Sequence, residues 1–223
     1  MRLERLDDHV AVVTIDRPHA ANAVTAEVAR QLEAVVRSTE ADEDVWAVIL
    51  TGAGSKAFCA GADLKEVAAG NADILHTPEG GFAGFVHSRR AKPWIAAVNG
   101  AAVGGGCEIV LACDMVVAVE HAQFALPEVR RGLIAAAGGL YRLPRTIPIP
   151  IALELITTAR SMSATEAHRW GLANRLASAN RLLDEAMALA RDITRNAPVA
   201  VRESLRVARQ AFILDESELR ELS

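Results

Sequence analysis

The sequence predicts an α/β fold: a sheeted core in the first half of the chain and helices through most of the second. Three observations lead there. Short, unbroken apolar runs at 10–15, 46–50, 94–98 and 115–119 are bounded by turn residues, the pattern of strands buried on both faces. Apolar positions at helical spacing lie between and after them, and from Gly132 onward the helical pattern dominates. With 223 residues, 51% of them hydrophobic, the chain can bury roughly 70–75% of its unfolded surface, enough for a full core without staples.

Composition excludes several classes. A net charge of -4 gives no global basic field for nucleic acid or an anionic membrane. Apolar runs are broken by Asp, Glu or Gly well before the ~20 residues of a membrane span. The opening MRLERLDDHV is charged and shows no secretory leader. Three cysteines, Cys59, Cys107 and Cys113, sit in apolar surroundings without a C-x-x-C pair. They read as free buried thiols of a cytoplasmic protein, and no metal site is predicted.

In order, the strand at 10–15 ends at Arg17-Pro18. The helix at 25–38 places Val28, Leu32, Val35 and Val36 on one face. An acidic turn at 42–44 precedes the strand at 46–50. The stretch Gly52-Ala53-Gly54-Ser55-Lys56-Ala57 has the outline of a dinucleotide-binding turn, but no helix opens after it and no acid follows about 20 residues on. It reads as a turn between two strands. Phe58 to Asp63 (FCAGAD) is a short strand and a turn, with Asp63 as N-cap of a helix at 64–69. That leaves the Ala62 N–H free to donate at the edge of a cleft. A glycine-rich loop covers 70–84, and 82–90 reads as helical. Ser88, Arg89, Arg90 and Lys92 read as a solvated basic face.

The stretch WIAAVNGAAVGGGCEIVLACDMVVAVEHAQFALPE, residues 94–128, carries the chemistry. A strand and an Asn99-Gly100 turn lead to Gly104, Gly105 and Gly106 at the mouth of an apolar helix with Glu108 in its first turn. Free N–H groups and the positive end of the helix dipole suit a developing negative charge. A carboxylate among Ile109, Val110 and Leu111 must be paired, hydrogen-bonded or functional. Asp114 serves the helix end. Strands follow at 115–119 and 121–126, with His121 at the surface turn. Glu128 is either the second carboxylate of the site or the partner of Arg130 or Arg131. Further on, Gly138-Gly139 opens an amphipathic segment, a helix covers 151–159, and Ser163-Ala164-Thr165-Glu166 is a capping box. Helices at 181–195 and 199–212 and a fraying acidic tail complete the chain.

Taken together, IAAVNGAAVGGGCE, AFCAGADLKE, AQFALPE and DRPHAANAV resemble the enoyl-CoA hydratase/isomerase family, the crotonase superfamily, in order and spacing across 10–212. The resemblance implies a crotonase-like spiral of ββα repeats over 1–175 and a helical oligomerisation region over 176–223. The chain ends short of the usual family length. It also implies a homotrimer or dimer of trimers, with an acyl-CoA thioester as substrate. Coenzyme A is then part of the substrate, and no separate cofactor is expected. By position, the Ala62 and Gly105 N–H groups form the oxyanion hole. Glu108 and Glu128 handle the catalytic water, with Glu128 taken as proton donor to carbon and Glu108 as the group activating water. Ala60, Gly61, Asp63, Leu64 and Lys65 lie where the family contacts CoA, and Ala20 and Ala21 where it holds the adenine. The expected reaction is addition of water across the 2,3 double bond of an enoyl-CoA. An isomerase or other acyl-CoA enzyme, or a non-catalytic acyl-CoA-binding protein, stands as the alternative. The segment 132–139, GLIAAAGG, lacks the Pro and Gly of the family's GTIPGAGG, which is expected to reshape the acyl pocket. His19 replaces a lysine that contacts a CoA phosphate.

Overall fold

The computed structural model describes residues 1–222. The chain begins with β1 (Arg2–Leu6), paired antiparallel with β2 (Val10–Ile15). β1 escapes the sequence reading because RLERL is charged and largely exposed, as suits an edge strand guarded against further pairing. α1 (Ala26–Ala41) starts at Thr25, whose hydroxyl accepts the Val28 N–H at 3.3 Å, and buries Val28, Leu32 and Val36.

Three turns of one repeat follow. β3 (Ala47–Gly52), β4 (Ala57–Cys59) and α2 (Leu64–Ala68) form the first. A small hairpin of β5 (His76–Thr77) and β6 (Gly81–Phe82) intervenes. β7 (Trp94–Val98), β8 (Ala101–Val103) and α3 (Gly105–Ala112) form the second. β9 (Met115–Val119), β10 (Gln123–Ala125) and α4 (Gly139–Thr146) form the third. The rest comprises α5 (Ile149–Thr158), β11 (Met162–Ser163), α6 (Ala164–Arg169), β12 (Arg175–Ala177), α7 (Leu182–Thr194), α8 (Pro198–Ala208) and α9 (Glu216–Leu222).

Each turn gives one strand to each of two sheets. The first runs β1-β2-β3-β7-β9-β12 and is parallel from β2 onward; the second runs β11-β10-β8-β4, parallel except at β11. This is the expected ββα spiral. β2 and β7 are buried along their whole length, which explains their unbroken apolar runs.

Two asparagines hold the β3–β4 connection. Asn99 Nδ2 donates to Gly54 O at 2.8 Å and Ala57 O at 3.1 Å, and its Oδ1 accepts the Gly52 N–H at 3.1 Å. Asn22 Nδ2 donates to Ala53 O at 3.0 Å and to the same Ala57 O at 2.7 Å. No helix opens here, so the glycine-rich stretch is the turn the sequence indicated.

The structure corrects several expectations. Segment 83–87 is a run of turns and 88–90 is irregular, because Ala83 and Gly84 take φ of 59° and 64° and stop a helix from propagating. Of the basic cluster, Arg89 is exposed, but Arg90 and Lys92 are not solvated charges. Lys92 is 2% exposed, and its ammonium donates to Thr39 O at 2.5 Å and Asp42 O at 2.6 Å, closing the end of α1. The Arg90 guanidinium stacks 3.9 Å over the Phe85 ring and donates to Phe85 O and Ala112 O, both at 2.6 Å. Asp114 does more than end α3: it accepts the Trp94 N–H at 2.8 Å and pairs with Arg209 beyond α8, also at 2.8 Å. The acidic tail is helical. Asp215 Oδ1 accepts the Glu218 N–H at 2.9 Å and Glu218 Oε2 accepts the Asp215 N–H at 3.0 Å, a reciprocal cap. The last residue of that tail, Ser223, lies outside the described residues. β12 spans residue 175, and the α7 that follows buries Leu182, Ala186, Met187 and Ala190 while packing on strands of the first sheet.

Asn99→Ala strands buried partners on both sides of the β3–β4 turn. We expect a loss of about 2–3 kcal/mol, read as a lower midpoint in urea unfolding with an unchanged slope.

Candidate active site

The site lies where the turn after β4 meets the start of α3. Gly61 has φ +83°, and a Cβ there would fall 2.9 Å from both Gly105 N and Val103 O. A Cβ on Gly106 would collide with Cys59 O, and one on Gly105 with the Phe82 ring. The turn and the helix mouth therefore touch backbone to backbone. Gly105 is the first residue of α3, so its N–H has no partner inside the helix. Ala62 bridges Val24 through its neighbours: Val24 donates to Gly61 O at 2.8 Å and Asp63 donates to Val24 O at 2.9 Å. The Ala62 N–H takes no part in that bridge. The two N–H groups named in the sequence thus sit on two segments in direct contact.

The carboxyls come to the same place. Gly104 has φ +56°, and a Cβ there would fall 3.1 Å from Glu128 Oε1. Glu108, one turn into α3, is 3% exposed, and its Oε1 accepts the Gly139 N–H at 2.9 Å. Burial pushes Glu108 up to about 7; the Gly139 N–H opposes that rise and the nearby Glu128 charge adds to it. Glu128 is half-buried at the start of a short 3₁₀ turn, Glu128–Arg131. Burial raises its pKa, while its own backbone N–H and the Arg131 charge pull the other way. Among the described residues it forms no ion pair with Arg130 or Arg131, and its Oε2 is buried without a hydrogen-bond partner. An unsatisfied buried carboxylate oxygen at the mouth of a helix is a position where a ligand or water belongs.

The remaining candidates form one strip beside this centre. Ala60 N–H donates to Ala21 O at 3.0 Å, joining the loop of Ala20 and Ala21 to the Gly61 turn. Asp63 caps α2 by accepting the Lys65 N–H at 3.1 Å. Its other oxygen pairs with Arg17 at 3.2 Å, and Arg17 also donates to Ala23 O at 2.6 Å. The Asp63 side chain is therefore occupied in holding the two loops together. Leu64, 63% exposed, and Lys65 project from the start of α2 into solvent.

Several contributors were not singled out from the sequence. Gly139 was noted only as a helix start, yet its N–H fixes Glu108. Phe82, assigned to a loop, packs against Gly105. Arg17 and Asn22 organise the first loop. Burial pushes the thiols of Cys59 and Cys113 up to about 12 and raises that of Cys107 too, which disfavours their thiolates. Among the described residues, no group of three or more His, Cys, Asp and Glu is placed to hold a metal ion, and no helix is long and apolar enough to cross a membrane.

Two sheets wound in ββα turns, with two glutamates at the mouth of α3, define a crotonase-fold protein. The family model described as enoyl-CoA hydratase/isomerase matches residues 5–221, and the chain belongs to that family. It is 44% identical over 193 residues to a carnitinyl-CoA dehydratase of Proteus mirabilis, covering 86% of this chain and 74% of that one. It is 44% identical over 202 residues to a short-chain-enoyl-CoA hydratase of Clostridium acetobutylicum, covering 87% and 76%. The crystal structure of an enoyl-CoA hydratase from Mycobacterium tuberculosis superposes with a TM-score of 0.93 at 40% identity, over 99% of this chain and 87% of that one.

The Glu108 environment makes a stability prediction. The folded protein holds this proton more tightly than the unfolded chain, so the contribution is full below the ordinary value of 4.5 and is lost as pH rises through about 7. Glu108→Gln keeps an oxygen for the Gly139 N–H and carries no charge. We expect it to stabilise the protein by about 1–3 kcal/mol at pH 8 and by almost nothing at pH 5, measured by thermal or urea unfolding at both pH values.

Proposed function

We propose that this chain is an enoyl-CoA hydratase, adding water across the 2,3 double bond of an enoyl-CoA to give a 3-hydroxyacyl-CoA. The observation that carries this reading is the buried Glu128 Oε2, without a partner, in a site shared with a carboxyl tuned to about 7. Water is a poor nucleophile toward an isolated alkene. Conjugation to a thioester lets attack at C3 push charge onto the carbonyl oxygen. The Ala62 and Gly105 N–H groups receive that oxygen, and each such donor contributes on the order of 2.7–4 kcal/mol in comparable sites.

Glu108 takes the proton of the attacking water; a base with a pKa near the working pH is well matched to that task. Glu128 delivers a proton through its free oxygen to C2. The hydroxyl ends on C3 and the hydrogen on C2. The two carboxyls exchange protonation states, and solvent resets them. No metal or redox cofactor enters this scheme; coenzyme A arrives as part of the substrate. The strip formed by Ala20, Ala21, Ala60, Gly61, Asp63, Leu64 and Lys65 carries the CoA portion, with the exposed Lys65 ammonium within reach of a phosphate. The neutral-to-acidic charge balance and the free thiols support work in the cytoplasm, without nucleic acid or membrane as partner. The apolar residues Ile149 and Leu153 on α5, 59% and 52% exposed, support assembly as a homotrimer or a dimer of trimers.

The test is loss of enoyl-thioester absorbance on adding the protein to crotonyl-CoA. Glu108→Gln and Glu128→Gln should each lower kcat by roughly 10²–10⁴-fold while butyryl-CoA still binds. Retained turnover in either variant removes that residue from the mechanism. Activity of the wild type should fall as pH drops below about 7, where Glu108 is protonated and cannot accept the water proton.

A further inference from the structure

The wall of the site beyond Glu108 is built from two segments. One is the start of α4, whose Gly139 N–H holds the Glu108 carboxyl at 2.9 Å. The other is the turn segment after β6, whose Phe82 ring packs on Gly105. A polar pair joins them: His87 Nε2 lies 3.3 Å from the Tyr141 hydroxyl. The same hydroxyl lies 3.1 Å from where a Cβ on Gly138 would stand, one residue before the N–H that holds Glu108. Resting on the hydratase reading, an acyl chain with its thioester at Ala62 and Gly105 and its double bond at the glutamates runs onward between these walls, toward His87 and Tyr141.

We infer that His87 and Tyr141 form a polar end wall of the acyl pocket and favour acyl groups carrying a hydroxyl beyond the double bond over unsubstituted alkyl chains. When a phenol and a neutral imidazole bond each other, one donor or acceptor site on the phenol oxygen stays open in either tautomer, and a ligand hydroxyl complements both. Partial burial lowers the His87 pKa, and the charges of Arg142 and His76 lower it further. The wall discriminates against cations. Arg142 is fixed between the two segments, donating to Val86 O at 2.5 Å and Ala137 O at 3.0 Å. Its guanidinium lies 5.1 Å from the centre of the Tyr141 ring, so that aromatic face already serves a cation. The groove His87 shares with α1 carries Glu33, Glu40 and Glu79 with Arg37 and Arg89, and Phe82, Gly139 and Tyr141 do not line it, so these charges lie on the far side of the wall.

The test is calorimetric binding of unreactive saturated thioesters, which does not depend on turnover. Butyryl-CoA and valeryl-CoA are compared with 4-hydroxybutyryl-CoA, 5-hydroxyvaleryl-CoA and 4-trimethylammoniobutyryl-CoA. We expect at least one hydroxylated ligand to bind about tenfold tighter than its parent, and the ammonium ligand to bind about tenfold weaker, the scale on which a site built for hydrogen bonding discriminates. Tyr141→Phe and His87→Leu should each bring the hydroxyl preference to within about twofold of unity. Equal binding of hydroxylated and parent ligands by the wild type, a preference that survives both variants, or tighter binding of the ammonium ligand overturns the inference. Crotonyl-CoA turnover is measured in parallel. A preference without turnover contradicts the hydratase reading and leaves the polar wall standing; turnover without a preference does the reverse.

Discussion

The backbone-to-backbone contact between the turn after β4 and the first residues of α3 is the constraint on which the site depends. Gly61 and Gly106 stand where a methyl group would strike Gly105 N or Cys59 O. Removing side chains here costs chain entropy but lets the two segments meet backbone to backbone, as the proposed pairing of the Ala62 and Gly105 N–H groups on one oxygen requires. The asparagines of the β3–β4 connection and the Arg17–Asp63 pair hold the turn from behind. A rigid backbone donor pair needs no reorganisation when charge develops. That makes it better suited to an enolate oxygen than flexible side chains would be.

The same geometry buries two carboxyls with few partners. Glu108 is held by backbone N–H groups of Gly139 and, more weakly, Ala137, and Glu128 leaves an oxygen unsatisfied. Such groups oppose folding at neutral pH, and their persistence at the helix mouth fits a site where stability is traded for chemistry. The structure also joins site and core through short links. Asp114 ends α3, receives the first N–H of β7 and is held by Arg209 after α8, so the helical end of the chain bears on the helix that carries Glu108.

Much of this was legible in the sequence because it rests on local rules. The unbroken apolar runs became buried parallel strands, Asp63 became the N-cap of α2, and Ser163 and Glu166 formed their capping box. The glycine run and its glutamate marked the mouth of α3, where Glu108 and Glu128 meet. What escaped depends on distant contacts. Lys92 and Arg90 look like surface charge in sequence, but carbonyls from α1, Phe85 and Ala112 surround them. Helical spacing over 82–90 is overridden by left-handed backbone at Ala83 and Gly84. The partner of Glu108 is a backbone N–H from Gly139, which leaves no mark in residue type. In the segment that lacks the family's Pro and Gly, Ala135 and Ala137 are buried.

The most direct measurement is the fate of crotonyl-CoA incubated with the protein in deuterium oxide, followed by NMR. The arrangement of donors and carboxyls described here predicts 3-hydroxybutyryl-CoA with oxygen on C3 and a single deuterium on C2. A migrated double bond without added oxygen, or deuterium washed into unhydrated substrate alone, would contradict it.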